Sequence, residues 1–309
     1  MAENLPPAVF IMGPTASGKT ALSIKLAQQL NGEIISVDSA MVFRGMDIGT
    51  AKPTLQERCG IPHHLMDILD PAETFSTGQF KTLALQKMAE ITAQGKIPVL
   101  VGGTMLYFNV LLNGLAELPE ANATIRQQLD QLLAEYGANA LHQRLADVDP
   151  KAAARIHPND PQRIQRALEV YEISGRPMSD FFKQQVSAIP YTVWNVKLVP
   201  PDRKILHDRI ARRFDSMLKE GLVEEVRRLF VRGDLNASLP AIRAVGYRQV
   251  WSYLQGDMDY DVMREKGIIA TRQLAKRQFT WLRKLDVGKS FESDDDCLVQ
   301  KVVHYIDLS

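Results

Sequence analysis

Cysteine is almost absent from this chain of 309 residues, which contains only Cys59 and Cys297. Two isolated cysteines cannot build a disulfide framework or a thiolate metal site, so we expect a reducing, cytosolic compartment. An apolar run of membrane length is also missing, and the apolar residues 9–12 are too few for a signal peptide. These absences argue against secreted disulfide scaffolds and membrane-spanning proteins and predict a soluble, cytoplasmic protein.

Net charge is nearly absent as well, because 37 basic and 36 acidic residues leave a formal charge of +1. This balance argues neither for nor against a nucleic-acid partner. One segment departs from it, since residues 264–284 contain a single acid, Glu265, among these bases: Arg264, Lys266, Arg272, Lys276, Arg277, Arg283 and Lys284. Such a stripe is typical either of a solvated helix face or of a surface that docks a polyanion, and both interpretations stay open.

Hydrophobic periodicity predicts strands that alternate with helices. The predicted strands cover residues 9–12, 33–37, 97–101 and 191–199, and the predicted helices near them cover residues 19–30, 76–93 and 104–112. This alternation predicts an α/β fold, a parallel sheet covered on both faces. Residues 39–74 contain many breakers and are interpreted as a long functional loop.

The texture of the sequence changes after Gly114, where a polar, helical stretch without strand-like runs begins. We interpret it as an inserted helical domain. The predicted divisions are a phosphate-loop core at 1–116, a helical insertion at 117–190, and the completion of the core with C-terminal helices at 191–309. Residues 294–296 are three aspartates that we assign to a tail linker.

A phosphate-binding loop follows the first predicted strand and precedes a helix. It consists of Gly13, Pro14, Thr15, Ala16, Ser17, Gly18, Lys19 and Thr20. The glycines let backbone N–H groups turn toward phosphate oxygens, and the helix N-terminus adds a favourable partial charge. Lys19 can neutralise the outer phosphates and Thr20 can hold Mg²⁺. The loop therefore predicts a substrate that carries a di- or triphosphate.

Asp38 ends the very next strand, whereas the later strand at 97–101 ends in two glycines without a carboxylate. A motor protein or GTPase would need an acid there to position Mg²⁺ and water. Asp38 is better interpreted as a general base for an acceptor beside the phosphates, with a capping role as the alternative. The donor could then lose a phosphoryl group or its organic group, and the loop alone leaves both transfers open.

Other candidates surround this edge. Thr104 opens a helix and either presents its hydroxyl to the site or only caps that helix. Arg163 and Arg166 share one helical face, and Arg243, Tyr247 and Arg248 mix basic and aromatic groups that suit RNA. A further arginine cluster contains Arg209, Arg212 and Arg213. The pair His63-His64 lacks other ligands at metal spacing, so we assign it to loop structure.

Together the motifs resemble a known family, the bacterial tRNA dimethylallyltransferases, also called tRNA isopentenyltransferases. Besides the phosphate loop, the matching stretches are Asp38-Ser39, Arg44-Gly45-Met46-Asp47-Ile48-Gly49-Thr50-Ala51-Lys52-Pro53, His63-His64-Leu65, Gly102-Gly103-Thr104-Met105-Leu106-Tyr107, Pro158-Asn159-Asp160, Arg163-Ile164, Arg166-Ala167-Leu168-Glu169, Ile242-Arg243-Ala244-Val245-Gly246-Tyr247-Arg248, and Thr271-Arg272-Gln273-Leu274-Ala275-Lys276-Arg277-Gln278 with Trp281. The resemblance spans residues 13 to about 282, and the combination is far more specific than the phosphate loop alone.

The resemblance implies transfer of a dimethylallyl group from dimethylallyl diphosphate to N6 of the adenosine 3′ of the tRNA anticodon, assisted by Mg²⁺. The loop would then hold the diphosphate of the donor. By resemblance, Asp38 matches the general base, Thr104 a residue near the reacting centre and Arg213 a diphosphate ligand. The implied contacts of the anticodon stem-loop are Asp38, Ser39, Ala40, Met41, Thr104, Arg126, Gln162, Arg163, Ile164, Gln165, Arg166, Arg243, Gly246, Tyr247, Arg248, Lys276 and Arg277.

One local departure from the family pattern is that Met41 and Phe43 stand where many members carry Gln and Tyr. Hydrogen bonds made by those groups elsewhere in the family are therefore not expected here. We expect a monomer with no membrane partner. Two other function classes stay open at this point, a small-molecule or nucleoside kinase on the strength of the phosphate loop, and a non-catalytic RNA-binding regulator on the strength of the basic stripe.

Overall fold

The structure is a computed structural model that describes residues 5–182, 189–285 and 287–306. Its strands are β1 Pro7–Met12, β2 Gly32–Val37, β3 His63–His64, β4 Ile97–Gly102, β5 Thr192–Val199 and β6 Lys289–Glu292. Its helices are α1 Lys19–Gln29, α2 Thr77–Ala93, α3 Met105–Asn113, α4 Ala123–Val148, α5 Pro150–Ala153, α6 Pro161–Ser174, α7 Met178–Phe181, α8 Arg203–Glu220, α9 Leu222–Phe230, α10 Tyr247–Leu254, α11 Tyr260–Lys284 and α12 Leu298–Tyr305. No helix in these described ranges is both long and apolar enough to cross a membrane.

The chain divides into two compact units. Residues 1–112 and 190–309 form an α/β unit, and residues 113–189 form a helical unit inserted between them. The sequence-based boundaries stand at residues 117 and 190. Whether the helical unit contacts tRNA stays a prediction.

A six-stranded sheet in the order β3-β2-β4-β1-β5-β6 forms the centre of the α/β unit. Every neighbouring pair is parallel, which confirms the predicted α/β fold class. Strands β1 and β2 are buried along nearly their whole length, as expected where helices cover both faces of a parallel sheet. Because the strands run in one direction, the residues that follow β1, β2 and β4 meet at a single edge.

The assignment of residues 294–296 to a tail linker is wrong, because β6 precedes these residues and α12 follows them. Residues 294–296 are only the short connection between β6 and α12. Phe291, Val302 and Ile306 are buried in the same hydrophobic cluster as Val9 and Ile34. Three consecutive aspartates are typical of a solvent-exposed connection, but the apolar residues on either side of them are buried and order this segment.

A two-residue strand also replaces a predicted loop, because His63 and His64 pair in parallel with β2 at the sheet edge. Nε2 of His64 lies 2.7 Å from Glu33 Oε2, and Nζ of Lys96 lies 2.5 Å from Glu33 Oε1. These contacts lower the pKa of Glu33, although burial of the carboxylate opposes them. Across residues 5–182, 189–285 and 287–306, no group of three or more His, Cys, Asp or Glu side chains could hold a metal ion.

A second hydrophobic cluster lies among α8, α9, α10 and α11. Val42, Phe43 and Met46 of the long loop after β2 are buried in this cluster. Phe43 is almost fully buried, so the residue that departs from the family pattern is a core side chain here. The long loop is therefore held in place by helices from the C-terminal half of the chain.

The helical unit is built mainly from α4 and α6. Asn122 caps α4 by accepting hydrogen bonds from the amides of Thr124 and Ile125. Within α4 the backbone breaks at Gly137, where a φ of 78° interrupts the helical conformation. The core of this unit includes Leu145 and Ile164, both fully buried.

Candidate active site

The phosphate loop wraps around the N-terminus of α1 after β1. Gly13 is required there because a Cβ atom would lie 2.5 Å from the carbonyl oxygen of Leu198 and 2.8 Å from Ser17 Oγ. Gly18 adopts a left-handed φ of 84° at the N-cap of α1, a conformation that glycine accepts at little cost. The Oγ atom of Ser17 is buried without a hydrogen-bond partner among the described residues. The shape and the polar atoms of the loop thus suit the binding of an anion.

Lys19 is the electrostatic centre of this cradle. Its Nζ donates a hydrogen bond to the carbonyl of Pro14 at 2.5 Å, which folds the side chain back over the loop. Burial of the ammonium, reinforced by the Arg213 guanidinium, lowers the pKa of Lys19 to about 7, and the carboxylate of Asp38 opposes that shift. The same three side chains therefore share one electrostatic environment.

Asp38 follows β2 at the edge that carries the loop. Its Oδ1 accepts hydrogen bonds from the amides of Ala40 at 2.8 Å and Met41 at 3.3 Å, so the carboxylate is held by its own turn. No hydrogen bond from any described residue reaches Oδ2. The turn thus fixes the carboxylate and leaves one oxygen available to accept a proton.

Thr104 is hydrogen-bonded to the two residues that flank Asp38. Its Oγ1 accepts a hydrogen bond from the amide of Ser39 at 3.2 Å, and its own amide donates to the carbonyl of Val37 at 3.2 Å. The residue before this turn approaches β2 so closely that a Cβ on Gly102 would lie 1.9 Å from the Val37 oxygen. The hydroxyl of Thr104 therefore has a structural partner in addition to any contact with a substrate.

Arg213, on α8, reaches the site, whereas its neighbour Arg212 is exposed. Burial lowers the pKa of Arg213, and the carboxylates of Asp38 and Glu220 oppose the shift. Within the described ranges Arg213 forms no hydrogen bond and no ion pair shorter than 4 Å. A half-buried guanidinium without a close anionic partner is suited to an anionic ligand.

An aromatic cluster adjoins the site through Tyr107 of α3. Its ring stacks on Phe80 with centroids 4.1 Å apart, and Phe75 packs edge-on at 6.1 Å. Burial and the nearby Asp38 raise the pKa of Tyr107 to about 12, so the phenol stays neutral at physiological pH. Tyr107 stands in a motif that carries the family resemblance, yet its place beside Asp38 follows only from the fold.

Two side chains that organise the site have no role in the sequence-based interpretation. Gln278 of α11 contacts both the phosphate loop and Gly103. Glu225 of α9 is buried and accepts hydrogen bonds from the amides of Asp47, Ile48 and Gly49 in the long loop. The sequence does contain a sign that Glu225 is buried, because this acid lies among Leu222, Val226 and Leu229 on the apolar face of its helix.

Comparison with known proteins matches this architecture to one family. The family model described as IPP transferase matches residues 41–285, and the model described as isopentenyl transferase matches residues 7–69. A tRNA dimethylallyltransferase of Methylococcus capsulatus is 60% identical over 284 residues, which cover 92% of this chain and 91% of that protein. The chain belongs to the tRNA dimethylallyltransferase family.

Solved structures agree with this assignment. A tRNA isopentenylpyrophosphate transferase from Bacillus halodurans is 39% identical with a TM-score of 0.73, covering 98% of this chain and 96% of the other. A eukaryotic dimethylallyltransferase acting on tRNA is 29% identical with a TM-score of 0.83, covering 96% of this chain and 77% of the other. The resemblance found in the motifs is therefore confirmed.

Three of the tRNA contacts expected for a tRNA dimethylallyltransferase are buried in this chain. Tyr247 is fully buried, and its hydroxyl donates to Glu225 Oε1 at 2.5 Å. Gly246 is buried at the start of α10 and donates its amide hydrogen to Gln249. Ile164 lies in the core of the helical unit. Each of these three residues is engaged in packing or internal hydrogen bonds, and its contact with tRNA stays a prediction.

In the helical unit, the expected basic contacts are partly neutralised by a buried acid. Glu169 is fully buried and pairs with Arg126 at 2.9 Å and Arg166 at 2.6 Å. These arginines lower the pKa of Glu169 against the effect of burial. Gln165 donates to Asp130, and Arg163 pairs with Asp160 at 3.2 Å. Gln162 is exposed.

The remaining expected contacts lie at the surface of the α/β unit. Arg243, Arg248, Lys276 and Arg277 are exposed, as is Ser39 beside Asp38. Arg248 also lines an open cavity of about 320 Å³ together with Lys266, Ile269 and Gln273. Ala40 and Met41 are half-buried, and the sulfur of Met41 lies 3.7 Å from Ser36 Oγ. Met41 thus keeps a hydrogen bond with Ser36, although it lacks the side-chain amide of the glutamine that many family members carry here.

Proposed function

We propose that this enzyme transfers a dimethylallyl group from dimethylallyl diphosphate to N6 of the adenosine that follows the tRNA anticodon. The observation that carries the proposal is the meeting of Lys19, Arg213 and Asp38 in one electrostatic environment at the sheet edge. Two cations and a loop of amides suit a leaving diphosphate. A carboxylate beside them suits a proton that is lost from the acceptor.

The phosphate loop would hold the diphosphate of the donor. As the bond between the allylic carbon and the bridging oxygen breaks, its electron pair passes to the diphosphate. The loop amides, Lys19 and Arg213 stabilise the negative charge that develops there. In this chemistry the phosphates depart with the leaving group and are not transferred.

Asp38 would accept the proton from the adenine amine. The lone pair of that amine is delocalised into the ring, so the nitrogen becomes acidic only as its bond to the allylic carbon forms. A carboxylate positioned to take the proton at that moment contributes about 10²–10⁴-fold to the rate. The turn that holds Oδ1 of Asp38 supports this role, because it leaves Oδ2 free of protein hydrogen bonds among the described residues.

Mg²⁺ would be bound mainly by the substrate. The chain supplies Thr20 at the start of α1, and no metal-binding cluster of acids and histidines exists in the part of the chain that the structure describes. This sparse donor set fits Mg²⁺, which keeps several waters and binds through phosphate oxygens with one or two protein ligands. When bound, the ion would neutralise charge on the diphosphate.

The phosphates of the anticodon stem-loop would be bound by exposed basic side chains, namely Arg243, Arg248, Lys276 and Arg277. Such contacts offset the cost of turning the target base out of its stack, a few kcal/mol in general. They also make binding depend on salt. A monomeric state and a cytoplasmic location remain predictions alongside this proposal.

Transfer of label tests the function directly. The native enzyme is incubated with Mg²⁺, unmodified tRNA and dimethylallyl diphosphate labelled in the dimethylallyl group. We expect label in the tRNA at an N6-modified adenosine after nuclease digestion, and unlabelled diphosphate in solution. A tRNA without adenosine at the target position serves as the control.

A kinase activity is the competing outcome. In parallel, the enzyme is incubated with ATP labelled in the γ-phosphate and a panel of nucleosides and small metabolites. Transfer of that phosphate to an acceptor, together with no prenylation of any tRNA, would refute the proposal.

A further inference from the structure

Gln278 forms a bridge between two loops of the active-site edge. It lies near the C-terminal end of α11 and is almost completely buried. Its Oε1 accepts a hydrogen bond from the amide of Thr15 at 2.8 Å, and its Nε2 donates to the carbonyl of Gly103 at 3.0 Å. A single side-chain amide thus satisfies one backbone group from the phosphate loop and one from the turn after β4.

The fit around this amide is tight. A Cβ atom on Gly103 would lie 2.3 Å from Nε2 of Gln278, so only glycine leaves room for the bridge. The partners come from chain segments 263 and 175 residues away from Gln278. The bridge therefore does not stabilise local structure, and its effect is to fix two distant loops relative to one another.

The bridge continues to the proposed base. Gly103 is followed by Thr104, whose Oγ1 accepts the amide of Ser39 and whose own amide donates to Val37. Ser39 follows Asp38, the residue whose carboxylate acts electrostatically on Lys19 and Arg213. A connected set of hydrogen bonds thus runs from the phosphate loop through Gln278 and Thr104 to the turn that holds Asp38.

We propose that Gln278 is a positioning residue that sets the spacing between the phosphate loop and the Asp38–Thr104 turn. This inference rests on the proposed function, since it needs the leaving group to bind in the loop and the amine to meet Asp38. Gln278 itself does not touch either substrate. Because a shift of about 1 Å between reacting groups can cost about 10²-fold in rate, a residue that fixes this spacing should control turnover.

The test replaces Gln278 with methionine, which has a similar length but cannot form either hydrogen bond. Steady-state kinetics with the labelled donor and tRNA are measured for native enzyme, Gln278→Met and the control Gln28→Met, an exposed glutamine near the C-terminal end of α1. We expect kcat of Gln278→Met to fall about 10²-fold. The KM for tRNA should stay within about threefold of native, because Gln278 is buried whereas the neighbouring Lys276 and Arg277, proposed to bind tRNA, are exposed.

A double-mutant cycle distinguishes positioning from general support of the fold. If Gln278 acts through Thr104, the fall in kcat caused by Gln278→Met will be several-fold smaller in a Thr104→Ala background than in the native background. Additive effects would overturn the proposal. So would native kcat in Gln278→Met, or an equal loss of kcat in Gln28→Met.

Folding is checked by the thermal melting of each variant. Should Gln278→Met fail to fold, Gly103→Ala serves as a second variant, because its Cβ displaces the same amide from the other side. Failure of both variants to fold would identify Gln278 as a structural residue and overturn the proposal. If the native enzyme itself does not label tRNA, it is the proposed function that fails.

Discussion

At the scale of single residues, the site depends on how each charge is held. Asp38 is fixed through one carboxylate oxygen by two amides of its own turn, and Lys19 is folded onto the carbonyl of Pro14. Neither side chain forms an ion pair shorter than 4 Å with a described residue. Each is held in place by backbone groups and not by an opposite charge. Both are therefore available to respond to a substrate.

Replacement of Asp38 by asparagine separates its two roles. The amide oxygen of asparagine can still accept the hydrogen bonds from Ala40 and Met41, but it cannot accept a proton. We expect kcat to fall by about 10²–10⁴-fold while the affinity for tRNA changes little. Filter binding of tRNA and single-turnover transfer measure the two quantities.

The exposed Asp257 on the connection between α10 and α11 offers a matched control for the loss of charge. Asp257→Asn should leave kcat unchanged. Equal losses of turnover and tRNA affinity in Asp38→Asn would mean that Asp38 is mainly structural.

Titration of Lys19 should make anion binding depend on pH. In the free enzyme the pKa of Lys19 is lowered to about 7, and a bound diphosphate raises it because the anion favours the ammonium. Binding therefore takes up a proton, and the contribution of Lys19 to affinity falls as pH rises above 7, by up to about tenfold per pH unit.

Calorimetric titration of the enzyme with inorganic pyrophosphate between pH 6 and pH 9 measures how this affinity depends on pH. A Lys19→Met variant shows the titration of the ligand alone, which is subtracted. An identical pH profile in both proteins would show that Lys19 does not titrate on binding.

At the scale of elements, the sequence predicts local features well and distant contacts poorly. The phosphate loop and the strands on either side of it follow from glycine spacing and apolar runs. The bridge by Gln278 and the clamp by Glu225 do not, because each joins segments more than 170 residues apart. Burial of Tyr247 does not follow from the local sequence either, since its partner Glu225 lies on another helix, 22 residues away.

Removal of the Tyr247 hydroxyl tests the clamp on the long loop. Its hydrogen bond to Glu225 lies in the buried cluster, and burial with the adjacent carboxylate raises the pKa of Tyr247 far above its usual value. A buried hydrogen bond to a charged group contributes about 1.5–3 kcal/mol. We expect Tyr247→Phe to lower the free energy of unfolding by that amount.

Chemical denaturation measures this loss, and Tyr253→Phe on the same helix is the control. Tyr253 is half-buried, and its ring packs edge-on against Tyr260. We expect that variant to lose less than about 0.5 kcal/mol. Equal stability of Tyr247→Phe and the native protein would mean that the clamp contributes nothing.

At the scale of the whole molecule, the C-terminal segment completes the α/β unit. Alternating strands and helices were sufficient to predict a parallel sheet and an inserted helical unit. They were not sufficient to predict β6 and α12, because the acidic residues between these elements are typical of a linker. Val9 and Val302 are buried in one hydrophobic cluster, so residues on α12 contribute to the same core as β1.

A pair of identical substitutions tests this role of the C-terminal segment. Val302 is fully buried against the sheet, whereas Val231 is 73% exposed after α9. Val302→Ala should lower the free energy of unfolding by about 2 kcal/mol, since two buried methyl groups are lost at about 0.8 kcal/mol each and a cavity is left behind. Val231→Ala should leave it nearly unchanged in the same denaturation experiment, and equal losses would place Val302 outside the cooperative core.

The central claim is that the phosphate loop holds the diphosphate of a prenyl donor, with the reacting carbon facing Asp38. A crystal structure with a thiolo analogue of dimethylallyl diphosphate and Mg²⁺ tests it most directly. The account predicts the diphosphate within residues 13–20, in contact with Lys19 and Arg213, and the allylic carbon beside Asp38 and Thr104. An analogue bound outside the loop, or a dimethylallyl group that points away from Asp38, would contradict it.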